Sequence, residues 1–238
     1  WYYGVFVSSM PDFNLRNESV VDYHKDSLRF WMNKGVDGFR FDAVGVLFEN
    51  GRDAWENQPQ NHELLTEIKT LVESYDKRYL VCESPSDFVA TAASCGRAFN
   101  FAAHGQVLES ARQGQVQGGL VTELQRPNID QMPLILGNHD FFAGTRVWNA
   151  LNGNLTQYRL AAETYLLASA TPFTYYGEEI GMAVGNNLQA DASLRTPMSW
   201  TAEANTAGFT TGTPFRRLSA NFATRNVEQQ QSVNASLW

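Results

Sequence analysis

Three acidic residues of this chain, Asp42, Glu83 and Asp140, have the type and spacing expected of a catalytic set. Each ends or closely follows a short, mostly apolar run of strand type. Because α/β folds place their chemistry at the carboxyl ends of their strands, these three acids are the candidate catalytic residues. If the strands are neighbours in one sheet, the three carboxylates are expected to meet at one mouth.

Glycoside cleavage is the chemistry that suits such a set. A retaining mechanism needs one ionised carboxylate as nucleophile and one protonated carboxyl as acid, about 5–5.5 Å apart. Arg40 lies on the same strand face as Asp42 and would keep that carboxylate ionised. Partial burial and like-charge neighbours would raise the pKa of Glu83 toward the range of a working acid. Asp140 and the adjacent His139 would then hold sugar hydroxyls.

Each of these signals also has a structural interpretation, which the residues alone leave open. Arg40 and Asp42 can form a structural ion pair, Glu83 can be a capping or solvated acid, and 138–140 can be an ordinary loop. A metal-dependent hydrolase that uses the three acids and His139 as ligands is another alternative. Such sites usually draw on several histidines, and only His139 of the four lies near the acids in sequence, so this alternative ranks last.

An alternation of helical and strand patterns is expected to position the acids. Helices are predicted over 18–34, 62–75, 86–94, 106–125 and 155–170. Strands are predicted over 36–42, 79–83, 97–101, 133–138 and 172–176. This order favours a parallel sheet with crossover helices, either most of a closed (β/α)8 barrel or an open doubly wound sheet. No glycine-rich phosphate loop follows a strand, which argues against a nucleotide-binding version.

Two glutamates and several aromatic residues fall outside these elements. Glu178 and Glu179 lie in a tail, 177–238, that shows no strong period. We interpret both as loop charges, with a place at the mouth of the site as the alternative. The aromatic residues near the predicted site can stack on sugars or belong to the core: Tyr2, Tyr3, Phe141 and Phe142.

Composition narrows the class of protein. The 238 residues, 43% of them apolar, are enough for one large domain. A net charge of −7 argues against a nucleic-acid partner or a polybasic membrane surface, and no apolar run approaches the ~20 residues of a membrane span. Cys82 and Cys95 are too few for a disulfide scaffold or a cysteine-built zinc site. Trp1 is no natural start, so the chain is interpreted as cut from something longer.

Three motifs resemble core motifs of the α-amylase family, glycoside hydrolase family 13. They are Gly-Phe-Arg-Phe-Asp-Ala-Val at 38–44, Cys-Glu at 82–83 and Leu-Gly-Asn-His-Asp at 136–140. They occur in the order of that family and at suitable separations. The resemblance implies that Asp42 is the nucleophile, Glu83 the acid/base, and Asp140 the residue that binds sugar hydroxyls and stabilises the transition state. Arg40 would hold Asp42, and His139 would hydrogen-bond the sugar.

Further segments extend the resemblance over nearly the whole chain. Met-Pro-Asp-Phe-Asn at 10–14 is similar to a motif near the end of the inserted domain B, in the form found between oligo-1,6-glucosidases and neopullulanases. Segment 171–182 resembles the eighth barrel strand with its loop, and 195–200 resembles a segment common in glucosidase-like members. The implied activity is retaining hydrolysis of α-glucosidic bonds in starch-like α-glucans or malto-oligosaccharides. The alternatives are an α-glucosidase, an oligo-1,6-glucosidase, a transglycosylase or a non-catalytic glucan-binding relative.

The resemblance also implies a domain organisation. Residues 1–17 would be the end of domain B with its connecting loop, and 18–238 would be strands four to eight of a TIM barrel with the long loop after the eighth. The first three strands, most of domain B and the C-terminal β-domain would be missing, and the isolated chain is expected to be inactive. Many α-amylases have Lys-His where this chain has Gly45 and Val46. Family members often hold Ca²⁺ through ligands that lie largely outside this part of the protein, so no metal ligand is assigned here. Family members are also often secreted. The expected partner is an α-glucan or oligosaccharide, with no nucleic acid and no membrane, and oligomeric state stays open.

Overall fold

The computed structural model describes residues 2–168, 171–231, 233 and 236–237. Trp1 and the last two positions of the helix predicted over 155–170 lie outside the described residues. The chain divides into two compact units, Trp1–Phe99 and Asn100–Trp238, which are described in turn.

The first unit alternates helices and strands as predicted. Its elements are α1 (Glu18–Asn33), β1 (Gly38–Phe41), α2 (Pro59–Glu73), β2 (Tyr79–Cys82) and α3 (Phe88–Cys95), with a 3-10 turn at Val44–Val46. β1 and β2 form a parallel pair. The strand and helix predictions up to residue 95 are therefore confirmed, with ends that differ by a few residues.

Helix α1 begins and ends where its sequence predicts. The Asn17 side chain accepts a hydrogen bond from the Ser19 amide at 3.0 Å and caps the first turn. At the other end Gly35 has φ +95°, a conformation that glycine adopts without the strain that other residues meet. The apolar face between these ends packs on a core shared with α2, β1 and β2. The buried residues of this core are Met32, Val44, Phe48, Leu64, Leu65, Ile68, Val72, Leu80, Cys82 and Cys95.

The two cysteines form a disulfide, which the sequence did not predict. It joins Cys82, the last residue of β2, to Cys95, the last residue of α3. Both residues are fully buried. The residue after Cys82 is Glu83, so this crosslink is attached directly beside a candidate catalytic acid.

The predicted strand over 97–101 is wrong as an extended element. A single parallel bridge joins Ala98 to Cys82, with Cys82 N donating to Arg97 O at 2.9 Å and Phe99 N donating to Cys82 O at 3.1 Å. The Asn100 side chain accepts from the Ala103 amide at 2.9 Å and caps the helix that follows. Because this cap starts the helix at once, the extended segment is too short for a ladder.

The regular structure of the second unit consists of helices and a short parallel strand pair, β3 (Leu134–Ile135) and β4 (Pro172–Phe173). Its helices are α4 (Phe101–Gln113), α5 (Gly118–Leu124), α6 (Val147–Ala150), α7 (Leu155–Ala168), α8 (Ala190–Leu194) and α9 (Val227–Gln231). The helix predicted over 106–125 is split because Gly114 caps α4 with φ +64°. The predicted strands at 133–138 and 172–176 are present in shortened form.

Apolar residues of α4, α7 and β3 build the core of the second unit. They include Val107, Leu108, Leu134, Tyr158 and Tyr165. The tail after 177, predicted as loop, contains α8 and α9 and a small buried cluster of its own: Ile180, Met182, Met198 and Val227. Among the residues described, none of the helices combines the length and the apolar character that crossing a bilayer requires.

Candidate active site

The strand register of the first unit places Asp42 and Glu83 side by side. Phe41 is the partner of Cys82 in the parallel pair, so the next residues along the two strands are Asp42 and Glu83. Glu83 N donates to Phe41 O at 2.9 Å, and Val44 N donates to Glu83 O at 3.1 Å. Since paired strands run about 4.8 Å apart, the two acids leave the same edge of the sheet as close neighbours.

Arg40 connects these two acids. One terminal nitrogen, Nη1, donates to Asp42 Oδ1, and the other, Nη2, donates to Glu83 Oε2. The sequence predicted the bond to Asp42 but not the bond to Glu83. A planar guanidinium presents its donors in fixed directions, so one arginine sets the positions of both carboxylates.

The two acids differ in their exposure to solvent. The Glu83 side chain is 6% exposed, whereas the Asp42 side chain is 68% exposed. Asp42 lies on the wall of a largely apolar pocket of about 410 Å³, together with Phe6, Phe13, Phe41 and Val46. One acid is therefore enclosed by protein, and the other faces a space that a ligand can enter.

The segment after Asp42 is tightly packed at Gly45, a position that the sequence resemblance singled out because many α-amylases carry a lysine there. The amide of Asn57 donates to Gly45 O at 2.7 Å, and the Asn61 side chain donates to the same oxygen at 2.6 Å. An ideal Cβ on Gly45 would lie 2.8 Å from Asn57 Oδ1. A longer side chain at this position therefore requires Asn57 to move.

His139 and Asp140 lie together in the second unit, after β3. The Asp140 amide donates to Asn138 Oδ1 at 2.8 Å, and His139 Nε2 lies 3.0 Å from Asp140 Oδ2. The Asp140 side chain is 20% exposed and the His139 side chain 44%. These positions leave both side chains accessible to a ligand.

Two residues around Asp140, Arg195 and Asp191, were missed by the sequence-based prediction. Arg195 Nη2 donates to Asp140 Oδ1 at 2.7 Å and to Asp191 Oδ2 at 3.0 Å, and its Nε donates to His139 O at 2.7 Å. Asp191 Oδ1 accepts from the Phe141 amide at 2.8 Å. The only signal was that 195–200 resembles a family segment, because no periodic pattern brings residues 55 apart into contact.

The interpretation of Glu178 as a loop charge is wrong. Its side chain is buried, and Oε2 accepts from the Tyr175 amide at 3.1 Å. Burial raises the pKa of Glu178 to about 8, against smaller opposing effects of the Tyr175 hydrogen bond and the Arg146 charge. An acid in an apparently polar Gly-Glu-Glu turn is therefore an interior group.

The four aromatic residues considered for sugar stacking are exposed rather than core. Tyr2 is 67% and Tyr3 42% exposed, and Phe141 and Phe142, directly after Asp140, are 53% and 62% exposed. The Phe142 ring contacts that of Phe101, with centroids 5.7 Å apart. Exposed, supported rings of this kind suit stacking on sugar faces.

A metal ion in a protein is bound by several side chains that lie close together. Within 2–168, 171–231, 233 and 236–237, no three His, Cys, Asp or Glu residues lie close enough together to hold one. No catalytic step is therefore derived through Ca²⁺.

Comparison with known proteins gives the family. The sequence profile of the α-amylase catalytic domain matches residues 1–238. The chain is 30% identical to the trehalose synthase/amylase TreS of Mycolicibacterium smegmatis over 100% of this chain and 48% of the relative. It is 31% identical to alpha-amylase 3 of Dictyoglomus thermophilum over 84% of this chain and 40% of the relative. Salivary alpha-glucosidase of Aedes aegypti is 28% identical over 99% of this chain and 50% of the relative.

Solved structures share the fold of this chain. The α-amylase of H. orenii has a TM-score of 0.75 at 26% identity and covers 99% of this chain and 48% of its own. The trehalulose synthase MutB has a TM-score of 0.80 at 21% identity, with 99% and 54% covered. The chain spans about half the length of the curated relatives it matches, and its fold is α/β, part of a TIM-barrel architecture. The chain therefore belongs to the α-amylase family, glycoside hydrolase family 13.

Proposed function

We propose that the full-length protein is a retaining glycoside hydrolase that cleaves α-glucosidic bonds of starch-like α-glucans or malto-oligosaccharides. The observation that carries this proposal is the adjacent position of Asp42 and Glu83 at paired strand ends, with Arg40 bonded to both. Backbones about 4.8 Å apart allow the two carboxyl groups to reach the 5–5.5 Å separation found in retaining enzymes. Family membership supports the same chemistry.

In the proposed first step, an Asp42 oxygen attacks the anomeric carbon while Glu83 gives its proton to the leaving glycosidic oxygen. The C–O bond to the leaving sugar breaks, and an ester to Asp42 forms. In the second step, Glu83 takes a proton from water, the water oxygen attacks the same carbon, and Asp42 leaves. Two inversions give net retention. Arg40 stabilises the negative charge of Asp42 before attack and after release.

Asp140 and His139 are proposed to bind hydroxyls of the sugar whose bond is cut. Their exposed oxygen and nitrogen atoms, and the hydrogen bonds that orient them, support this role. Because an oxocarbenium-like transition state flattens the ring, hydrogen bonds made to that shape lower the barrier more than they tighten substrate binding.

The domain assignment is part of the same proposal. Residues 1–17 are proposed as the end of domain B, and 18–238 as barrel strands four to eight with the long loop that follows. The order of the motifs and the parallel pairing of β1 with β2 and of β3 with β4 support it. In this arrangement, the segment at 97–99 takes the place of one barrel strand.

A second candidate is an α-glucosidase or a transglycosylase of the same family. The matched relatives are named as trehalose synthase/amylase, alpha-amylase and alpha-glucosidase. Family membership alone is therefore compatible with water or a sugar as the acceptor of the glycosyl group. In these reactions a sugar hydroxyl replaces water in the second step, and the roles of Asp42 and Glu83 are unchanged.

Product analysis of the full-length protein tests both candidates. Starch, pullulan, maltose and trehalose are incubated separately, and NMR follows the anomeric form of the first product. We expect α-configured products and no β-anomer before mutarotation. Initial release of the β-anomer overturns the retaining mechanism. New disaccharides formed from maltose at the expense of glucose favour the transglycosylase.

A further inference from the structure

The buried carboxyl of Glu178 occupies the space beside Gly137, three residues before Asp140. An ideal Cβ on Gly137 would lie 2.6 Å from Glu178 Oε1, and the next nearest side chain, Val147, is 3.9 Å away. The φ angle of Gly137 is not in the left-handed range, so its backbone suits any residue. Glycine is needed here because of the Glu178 carboxyl and not because of backbone strain.

Three hydrogen bonds hold Glu178 in place. Its Oε2 accepts from the Tyr175 amide at 3.1 Å, and its own amide donates to Tyr175 O at 3.0 Å. The buried Tyr158 hydroxyl donates to Glu178 O at 2.7 Å. The carboxyl is thus fixed at both its backbone and its side chain, as a rigid support must be.

Arg146 connects the buried residues around Glu178 to the segment that contacts Asp140. It is 2% exposed and lies over the rings of Tyr175 and Tyr176, 5.0 and 4.8 Å from their centroids. Its terminal nitrogens donate to Tyr176 O at 2.9 Å and to Leu194 O at 2.7 Å. Leu194 precedes Arg195, whose side chain bonds Asp140. These buried residues therefore contact two segments that position Asp140, one at Gly137 and one at Leu194.

We propose that Glu178 is a positioning residue for Asp140, acting through the backbone at Gly137. The contact sets where the segment 137–140 leaves the strand and so where the Asp140 carboxylate stands. This inference rests on the proposed role of Asp140 and extends it to a residue that touches no substrate.

The surroundings of Glu178 indicate that the neutral carboxyl performs this task. Within the described part of the chain, Oε1 has no hydrogen-bond partner and lies against the glycine. Burial and the Glu179 charge raise the pKa of Glu178, and the Arg146 charge lowers it, with about 8 as the result. The facing Tyr158 and Tyr165 have raised pKa values and stay neutral at physiological pH. An ionised Oε1 would be a buried charge without a direct partner, which is costly.

A double-mutant cycle in the full-length enzyme tests the contact. Gly137→Ala is expected to lower kcat by about 10–100-fold with KM within about threefold, because it displaces Asp140 from the transition state. Glu178→Ala removes the obstructing oxygen, so Gly137→Ala should cost less kcat in that background than in the parent. Strictly additive effects on kcat overturn the proposal.

Glu178→Gln tests the neutral form and remains informative if Glu178→Ala does not fold. Glutamine keeps the shape and lacks the charge, so kcat at pH 7 should stay within about threefold of the parent. Between pH 7 and 9 the parent should lose a larger fraction of kcat than Glu178→Gln, because only the parent gains a buried charge there. The matched control, Glu179→Gln, changes the next acid and should keep the parent profile. Identical profiles for the parent and Glu178→Gln overturn the proposal.

Asp140→Asn separates this inference from the proposed function. If Asp140→Asn keeps parental activity, both the role of Asp140 and its positioning by Glu178 are wrong. If Asp140→Asn is inactive while the cycle is additive, only the positioning role is wrong. Thermal unfolding of each variant shows that the compared proteins are folded.

Discussion

The candidate residues fall into two regions that are built differently. The strand-end pair, Asp42 and Glu83 with Arg40, is placed by the register of β1 and β2. The loop cluster, His139 and Asp140 with Arg195, follows a two-residue strand and is held by side chains from distant segments. Backbone pairing places the two acids side by side, with an arginine of the same strand bonded to both, whereas an acid on a loop depends on contacts from distant segments.

Two buried glutamates show the same contrast. Glu83 shares the Arg40 guanidinium with Asp42 at a strand end. Glu178 forms no ion pair with the described residues and is enclosed beneath the loop cluster. An acid that must exchange a proton with substrate needs polar neighbours. An acid that serves as a support can stay protonated, and therefore neutral, when it is buried without an ion pair.

The largest expected effect is that of Asp42→Asn in the full-length protein. It should lower kcat by about 10⁴-fold, because the covalent intermediate cannot form, while malto-oligosaccharide binding persists. Turnover on starch and calorimetric binding measure the two quantities. Asp37→Asn, just before the same strand and 93% exposed at its side chain, is the control and should keep kcat within about twofold. Turnover of Asp42→Asn at even about a tenth of the parent rate would falsify the nucleophile assignment.

Glu178 should make the stability of the protein pH-dependent. Its pKa is about 8 in the folded protein and 4.5 ordinarily, so between these values only the folded protein binds the proton. The free energy of unfolding contributed by Glu178 is therefore fully present below pH 4.5 and is lost as pH rises to about 8. The expected loss is on the order of 5 kcal/mol.

Denaturant unfolding of the parent and of Glu178→Gln over this pH range measures the contribution. The difference in unfolding free energy between the two proteins should change with pH, since glutamine does not titrate. Glu179→Gln serves again as the control. A constant difference across the range means that Glu178 is not a buried neutral acid.

Arg40→Lys tests the strand-end pair. A single ammonium cannot reproduce the two directed bonds of the guanidinium, so we expect kcat to fall by about 30-fold, with both acids still present. Initial rates on maltose measure this loss. Arg29→Lys, at an exposed ion pair on α1, makes the same chemical change away from the acids and should have no effect. Equal rates for Arg40→Lys and the parent show that Arg40 is only structural.

The smallest expected effect separates the two close-packed glycines. Gly45→Ala brings a Cβ within 2.8 Å of a side-chain oxygen of Asn57, whose side-chain amide nitrogen donates a single hydrogen bond to Ser86 Oγ at 3.0 Å. The expected cost is about 1 kcal/mol of unfolding free energy. Its kcat should change less than that of Gly137→Ala, whose obstacle is the fixed Glu178 carboxyl. A reversed order contradicts the view that the loop cluster is the more sensitive region.

The sequence predicted the strand-end pair because its signals are local. The alternation around Arg40 and Asp42 indicated a strand, Gly35 indicated the end of the preceding helix, and both features are present. The predictions that were wrong concern short segments, in which a cap or a glycine ends one element and begins another. The extended pattern at 97–101 is reduced to one bridge by the Asn100 cap, and Gly114 divides a single predicted helix.

The family, the class of chemistry, the candidate acids and most helices and strands can be inferred from the order of residues, because apolar period, caps and motifs are properties of neighbours in sequence. The Cys82–Cys95 disulfide, the bond from Arg40 to Glu83, the contact of Arg195 with Asp140 and the burial of Glu178 were decided by tertiary structure. Each depends on distance in space and on exclusion of water, and neither quantity is written in the spacing of residues along the chain.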